Sequence, residues 1–256
     1  MRPRVLRAWT ELLEAWESRS KLCPLLLTLL GIAFAASAGA AVVELTADRD
    51  NSLFEAEDFS NGAGPALFAG NTGSGAKRRA LLHFDVSGRI PPGARVDSVT
   101  LTLQVTNSPN DFSQPFSLHR VRGDWGEGSS ITSGGSGAPA QLGDATWRDA
   151  FYPGRPWSSP GGDFDLAPSA TRMVEGLGSY TWHGLGLTRD VREWLSQPDS
   201  NEGWLLHGEE TVLQTARRFG SRESGEAYSR PTITIYYTPA AITRSHSWGS
   251  LKAAYR

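Results

Sequence analysis

The sequence predicts an all-β protein: a two-sheet β-sandwich of jelly-roll type with one short helix. Three observations predict it. Apolar and polar residues alternate with period two through much of the chain after residue 42. Turn formers crowd the connections, with 28 Gly and 15 Pro among 256 residues. No repeat of solenoid or propeller length is visible.

The clearest strand is Val99–Thr106. Val99, Leu101, Leu103 and Val105 share one face; Thr100, Thr102, Gln104 and Thr106 share the other. Ala80, Leu82, Phe84 and Val86 alternate with Leu81, His83 and Asp85. Thr232–Tyr237 repeats the scheme, and Trp204–His207 is another strand, entered through Gly203. Ile90-Pro91-Pro92-Gly93 and Asn107-Ser108-Pro109-Asn110 are turns. Gly126–Gly143 and Tyr152–Pro168 read as long loops, the first flexible. The helix is expected over Thr188–Leu195, with Thr188 as its cap. Val191, Trp194 and Leu195 form its apolar stripe, and Gln197-Pro198 stops it.

The N-terminus has the order of a secretory signal over residues 1–40. Arg2, Arg4, Arg7, Arg19 and Lys21 precede the apolar run Leu25–Leu30, which fades into Ala35–Ala41. Cleavage fits after Ala38 or Ala40; the alternative is an uncleaved anchor. The expected location is secreted or cell-surface. Removing residues 1–40 leaves 20 basic and 24 acidic residues, a net charge of −4. Such a balance excludes the basic excess of a nucleic-acid binder. Cys23, the one cysteine, falls inside the signal, so the mature chain has no disulfide. The sandwich is expected over residues 42–239, followed by an unstructured tail, 240–256.

Asp48, Asp50 and Asp58, with Asn51, offer hard oxygen ligands for a structural calcium ion; the plainer reading is turn chemistry, since Asp and Asn stabilise turns unaided. No other cofactor is required. For sugar binding, Tyr152, Arg155 and Trp157 sit together in a Pro/Gly-rich loop. Sugar rings stack on aromatic faces while their hydroxyls pair with polar groups. Tyr180 and Trp182 are a second pair, and Lys77-Arg78-Arg79 suits an acidic sugar. Trp125, Trp147, Trp194 and Trp204 are expected in the core. His83 and His207 lie opposite their strands' apolar sets, as on a solvated face. Neither a Gly-x-Ser-x-Gly elbow nor a His-Glu-x-x-His helix occurs, so no enzyme is expected.

The order of several segments resembles the DNRLRE-domain family, secreted bacterial β-sandwich modules allied to carbohydrate-binding module family 96. Arg79–Asp85 resembles the family's strand ending in Phe-Asp. Ile90–Ala94 leading to Val99-Thr100-Leu101 resembles its next step. Asp124-Trp125-Gly126-Glu127 and Ala145-Thr146-Trp147 resemble its Trp-x-Glu and Thr-Trp pair. Thr188–Trp194 resembles its Asp-Val-x-x-Trp helix. Asn201–Leu206, Phe219–Glu223 and Arg230–Tyr237 resemble its last strands. The hexapeptide of the family's name is absent, and the two long loops exceed those of compact members. The resemblance implies a non-catalytic extracellular module that binds a polysaccharide or cell-surface glycan. Alternatives are a structural or adhesive surface protein without sugar binding, and a polysaccharide lyase or hydrolase.

Overall fold

The computed structural model describes residues 39–55 and 58–240. The expected signal up to Ala38 and the tail from Ala241 lie outside the described residues. What is described is all-β, with one α-helix among the described residues.

The sheet has eleven antiparallel strands, nine in one path and two branching from it, and curls over so that its halves face each other. One half contains β1 (Ala41–Thr46), β15 (Thr232–Thr238), β6 (Arg95–Asn107), β12 (Gly178–His183) and β14 (Arg217–Gly220). The other contains β2 (Arg49–Phe54), β5 (Lys77–His83), β13 (Trp204–His207), β7 (Gln114–Arg120) and β11 (Ala170–Val174). β4 (Ala66–Asn71) joins them. Its first four residues pair with β14, and Gly70 and Asn71 pair with β5. The change of partner falls at Gly70, whose φ is +108°. A Cβ there would lie 2.7 Å from the Thr215 carbonyl oxygen, so only glycine passes.

Alternation decides what each half buries. Val99, Leu101, Leu103 and Val105 of β6 meet Ala80, Leu82, Phe116, Leu118, Trp204 and Leu206 of the opposing half. Trp182 spans the gap: its Nε1 donates to the Phe116 carbonyl at 2.7 Å. Phe116 and Phe219 meet edge to face at 5.7 Å. Trp194 and Trp204 lie 4.4 Å apart in the same core.

Helix α1 runs Leu185–Ser196, one turn longer at its start than expected. Thr188 is not its cap. Gly184 holds that position without a side-chain bond, and Thr188 is buried, its Oγ1 donating to the Gly184 carbonyl at 3.4 Å. Leu187, Val191 and Trp194 enter the core. Gln197 and Pro198 follow the last turn, where the missing proline N–H stops it. Asp190 on this helix is fully buried, accepting from Trp204 Nε1 at 3.0 Å and from the Ser169 hydroxyl.

The outer face of the second half is not solvated. Leu53, Leu81 and Leu205, on adjacent strands, are covered by residues 121–164. Val121, Trp125, Ala145, Ala150 and Trp157 complete this second cluster, with Trp147, Phe151 and Phe164 at its margin. The short ribbons β3 (Phe59–Ser60) with β8 (Ala138–Pro139), and β9 (Asp149–Phe151) with β10 (Arg155–Pro156), belong to this side. The two stretches expected as long loops are therefore parts of a fastened layer.

One carboxamide does much of the fastening. Asn51 Nδ2 donates to the carbonyls of Glu127 at 2.9 Å, Ala145 at 3.3 Å and Gly126 at 3.5 Å. Its Oδ1 accepts from Ser52 N, Ser60 Oγ and Asn61 N. The side chain is fully buried, so its every polar atom must find a protein partner. Asn51→Asp turns a donor facing three carbonyls into a buried oxygen. Urea unfolding at pH 7 should show a loss of about 3 kcal/mol or more; a change below about 0.5 kcal/mol would mean the layer is held elsewhere.

Candidate functional site: a bare hydroxyl face

The basic run on β5 does not form one patch. Successive strand residues point to opposite faces, so Arg78 is separated from Lys77 and Arg79. Lys77 pairs with Glu55 at 3.4 Å. Arg78 is buried over the Phe54 ring, its Nε donating to the Gly135 carbonyl. Arg79 lies between Trp147 and Phe164, with ring centroids at 4.7 and 5.3 Å. It grips Glu210 bidentately at 2.7 and 2.9 Å, and its Nη1 donates to the Gly161 carbonyl. The two arginines hold the outer layer.

The loop aromatics are also engaged. Trp157 is only 6 % exposed, and its Nε1 donates to the Thr146 carbonyl at 2.9 Å. Its ring offers no free face for stacking, which corrects the expectation of a ligand platform. Tyr152 is half-buried, its backbone bonded to Gly143 and Asp144. Arg155 is exposed, resting on Phe151 at 4.7 Å and lying 4.0 Å from Asp124. Tyr180 and Trp182 both lean on the inner core, and the Tyr180 hydroxyl donates to the Gly176 carbonyl. Trp125, Trp194 and Trp204 are buried as expected; Trp147 is half-buried.

Asp48, Asp50 and Asp58 do not come together. Asp48 bonds His83 Nδ1 at 2.7 Å and the Asp85 N–H at 2.8 Å. Burial pushes its carboxyl up, but His83 and these bonds outweigh that and hold it below the ordinary value. Asp50 is fully buried and accepts the Arg222 N–H. Burial pushes its carboxyl well above the ordinary range, and Glu223 and Glu127 add to this. Asp58 is exposed in a turn with φ +53°. Among the described residues, no three His, Cys, Asp or Glu side chains are arranged to hold a metal ion.

The charged groups that do converge tie chain segments together. Arg222 grips Glu127 at 2.6 and 2.9 Å, and Glu127 also accepts the Asp50 N–H. Asp144 accepts backbone N–H groups from Ser129, Ser130 and Gln141. Beside it, Gly128 has φ +72°, and a Cβ there would lie 1.5 Å from Asp144 Oδ1. His83 and His207 are half-buried, not on a solvated face: His83 meets Asp48, and His207 Nε2 lies 3.3 Å from Glu210 Oε1. The motifs gave no sign of Arg222–Glu127 or His83–Asp48, because each joins residues far apart in sequence.

Among the described residues, the other half of the sheet carries no such layer. Its outward residues follow from alternation and register. Thr46, Thr232, Thr102 and Thr181 lie side by side across β1, β15, β6 and β12. The next row is Glu44, Thr234, Thr100 and His183, and beyond it Val42, Tyr236 and Ser98. Gln104 and Ser179 flank the threonine row on its other side. All are half-buried or exposed, and Tyr236 is 44 % exposed. Thr102 and Thr181 share a hydrogen bond of 3.0 Å. Neighbouring strands stand about 4.8 Å apart, and alternate residues along one strand about 7 Å apart. The result is a grid mostly of hydroxyl and amide groups, with Glu44 and His183 at the two ends of one row, beside an open tyrosine ring. Threonine alternation in Val99–Thr106 was its sequence signal.

No family model matches the chain, and no curated protein matches it.

Two outcomes follow from these placements. Trp157→Ala should lower stability by about 3–5 kcal/mol in chemical denaturation; unaltered stability would contradict its burial. Bonds from Arg79 and His207 outweigh burial at Glu210 and hold its carboxyl at about 2, below its ordinary 4.5. A lowered value supplies stability that is complete above 4.5 and is lost as pH falls toward about 2. Glu210→Gln should therefore destabilise by about 2 kcal/mol at pH 7. Its deficit against the parent should shrink across that acid window, and a deficit independent of pH would refute the pairing.

Proposed function

We propose that this protein is an exported, non-catalytic recognition module that binds a polysaccharide, with the bare hydroxyl face as its contact surface. The observation that carries this is the asymmetry of the sandwich. One outer face is covered and pinned by buried polar side chains. The other presents Thr100, Thr102, Thr181, Thr232, Thr234, Gln104 and Tyr236. A sugar chain is itself a neutral row of hydroxyls with apolar ring faces. Threonine and glutamine exchange hydrogen bonds with the hydroxyls, and the Tyr236 ring can stack on a pyranose.

Three further points support the reading. Residues 1–40 have the order of an export signal. The resemblance to the DNRLRE-domain family implies an extracellular glycan-binding module. His83, His207, Arg79 and Arg222 each hold a carboxylate of the fold, which favours binding over catalysis.

Affinity electrophoresis against a panel of polysaccharides, with and without calcium, tests the proposal. Tyr236→Ala and the double variant Thr100→Val with Thr234→Val should each weaken binding about tenfold, near 1.4 kcal/mol, at an unchanged melting temperature. Binding that survives both would place the sugar elsewhere. No binding across the panel would leave the structural or adhesive role as the better account.

A further inference from the structure

A groove of about 790 Å³ opens at the end of the fold where the β5–β6 connection meets the last turn of α1. Ile90, Pro92, Leu195 and Tyr237 supply apolar walls. Arg89, Arg95 and Arg192 line it too, and among the described residues no Asp or Glu does.

The charge of these arginines is only partly met. Arg95 pairs with Asp97 at 2.9 Å, but it is largely exposed. Arg192 donates from both Nε and Nη2 to the carbonyl of Val96, a neutral acceptor. Arg89 is exposed, and its side chain has no partner among the described residues. Trp194, 1 % exposed, backs the groove with its ring.

We propose that this groove is a second binding site, for a small organic anion with an apolar body, such as an aliphatic carboxylate. The carboxylate meets the arginines, as a fork-shaped guanidinium favours. The apolar body covers Ile90, Pro92 and Leu195.

Both ends of the described chain lie at this end of the fold. Ala41 pairs with Tyr237, and Ala240 lies beside Gly93. The charge of the flanking segments suits the groove poorly. Residues 241–256 carry Arg244, Lys252 and Arg256 and no acidic residue. Residues 1–38 carry five basic and three acidic residues. An external anion complements three arginines better than either.

Titration calorimetry of the full chain with decanoate, decanol and decylamine tests the site. Decanoate should bind at least tenfold more tightly than decanol, and decylamine should not bind. Arg89→Gln, a change at an exposed side chain, should weaken decanoate at least tenfold without altering the melting temperature. Leu195→Glu should abolish it by placing a carboxylate in the groove. Equal binding of decanoate and decylamine would overturn the proposal, as would indifference to Arg89→Gln. Absence of decanoate binding would also overturn it, and is the result expected if the flanking segments fill the groove. Tyr236→Ala lies on the hydroxyl face and should leave decanoate binding intact, so failure here is separable from failure of polysaccharide binding.

Discussion

Everything on the covered side of the sheet depends on one constraint: Leu53, Leu81 and Leu205 point away from the main core and still have to be kept from water. The sheet cannot do this itself, because its own concave side is already full. A chain rich in glycine, serine and proline has little apolar surface of its own. It covers the leucines with a few large rings, Trp125, Trp147 and Trp157 among them, and holds position by polar bonds. Asn51, Asp144 and the Arg79–Glu210 pair are the fastenings. They lie under the layer, where competition from water is weakest and an unmade bond costs most.

This division of labour separates the two faces chemically. On the covered side, charge and aromatic area are consumed in holding the protein together. On the bare side, side chains need only suit a strand and remain wet, and threonine does both. Recognition is thus best sought where the fold makes the fewest demands, not where sequence motifs are densest.

Much of the architecture was legible. Period-two alternation located β5, β6, β13 and β15, since a strand's two faces meet different surroundings. The covered side was only hinted at. Trp204-Leu205-Leu206 is apolar without a break, and Leu81 stands among the outward residues of its strand. Both mark strands buried on two sides. The helix began earlier than its cap signal because Gly184 and Gly186 carry no cap chemistry; tertiary packing of Leu187 sets the start instead. Trp157 misled because loop composition says nothing of what lies beneath a loop. The acidic residues near β2 misled in a related way: Asp50 takes its role from Arg222, 172 positions away.

The pairing of β1 with β15 has a mechanical consequence. The two strands run antiparallel, with Ala41 opposite Tyr237, so the chain enters and leaves the sheet at the same end. Tension between the flanking segments would load these hydrogen bonds one pair after another, as a zipper opens, rather than all at once in shear. Anchored through both ends, the domain would yield first at β1, and the strands bearing most of the bare hydroxyl face, β6, β12 and β15, would be the later ones to part.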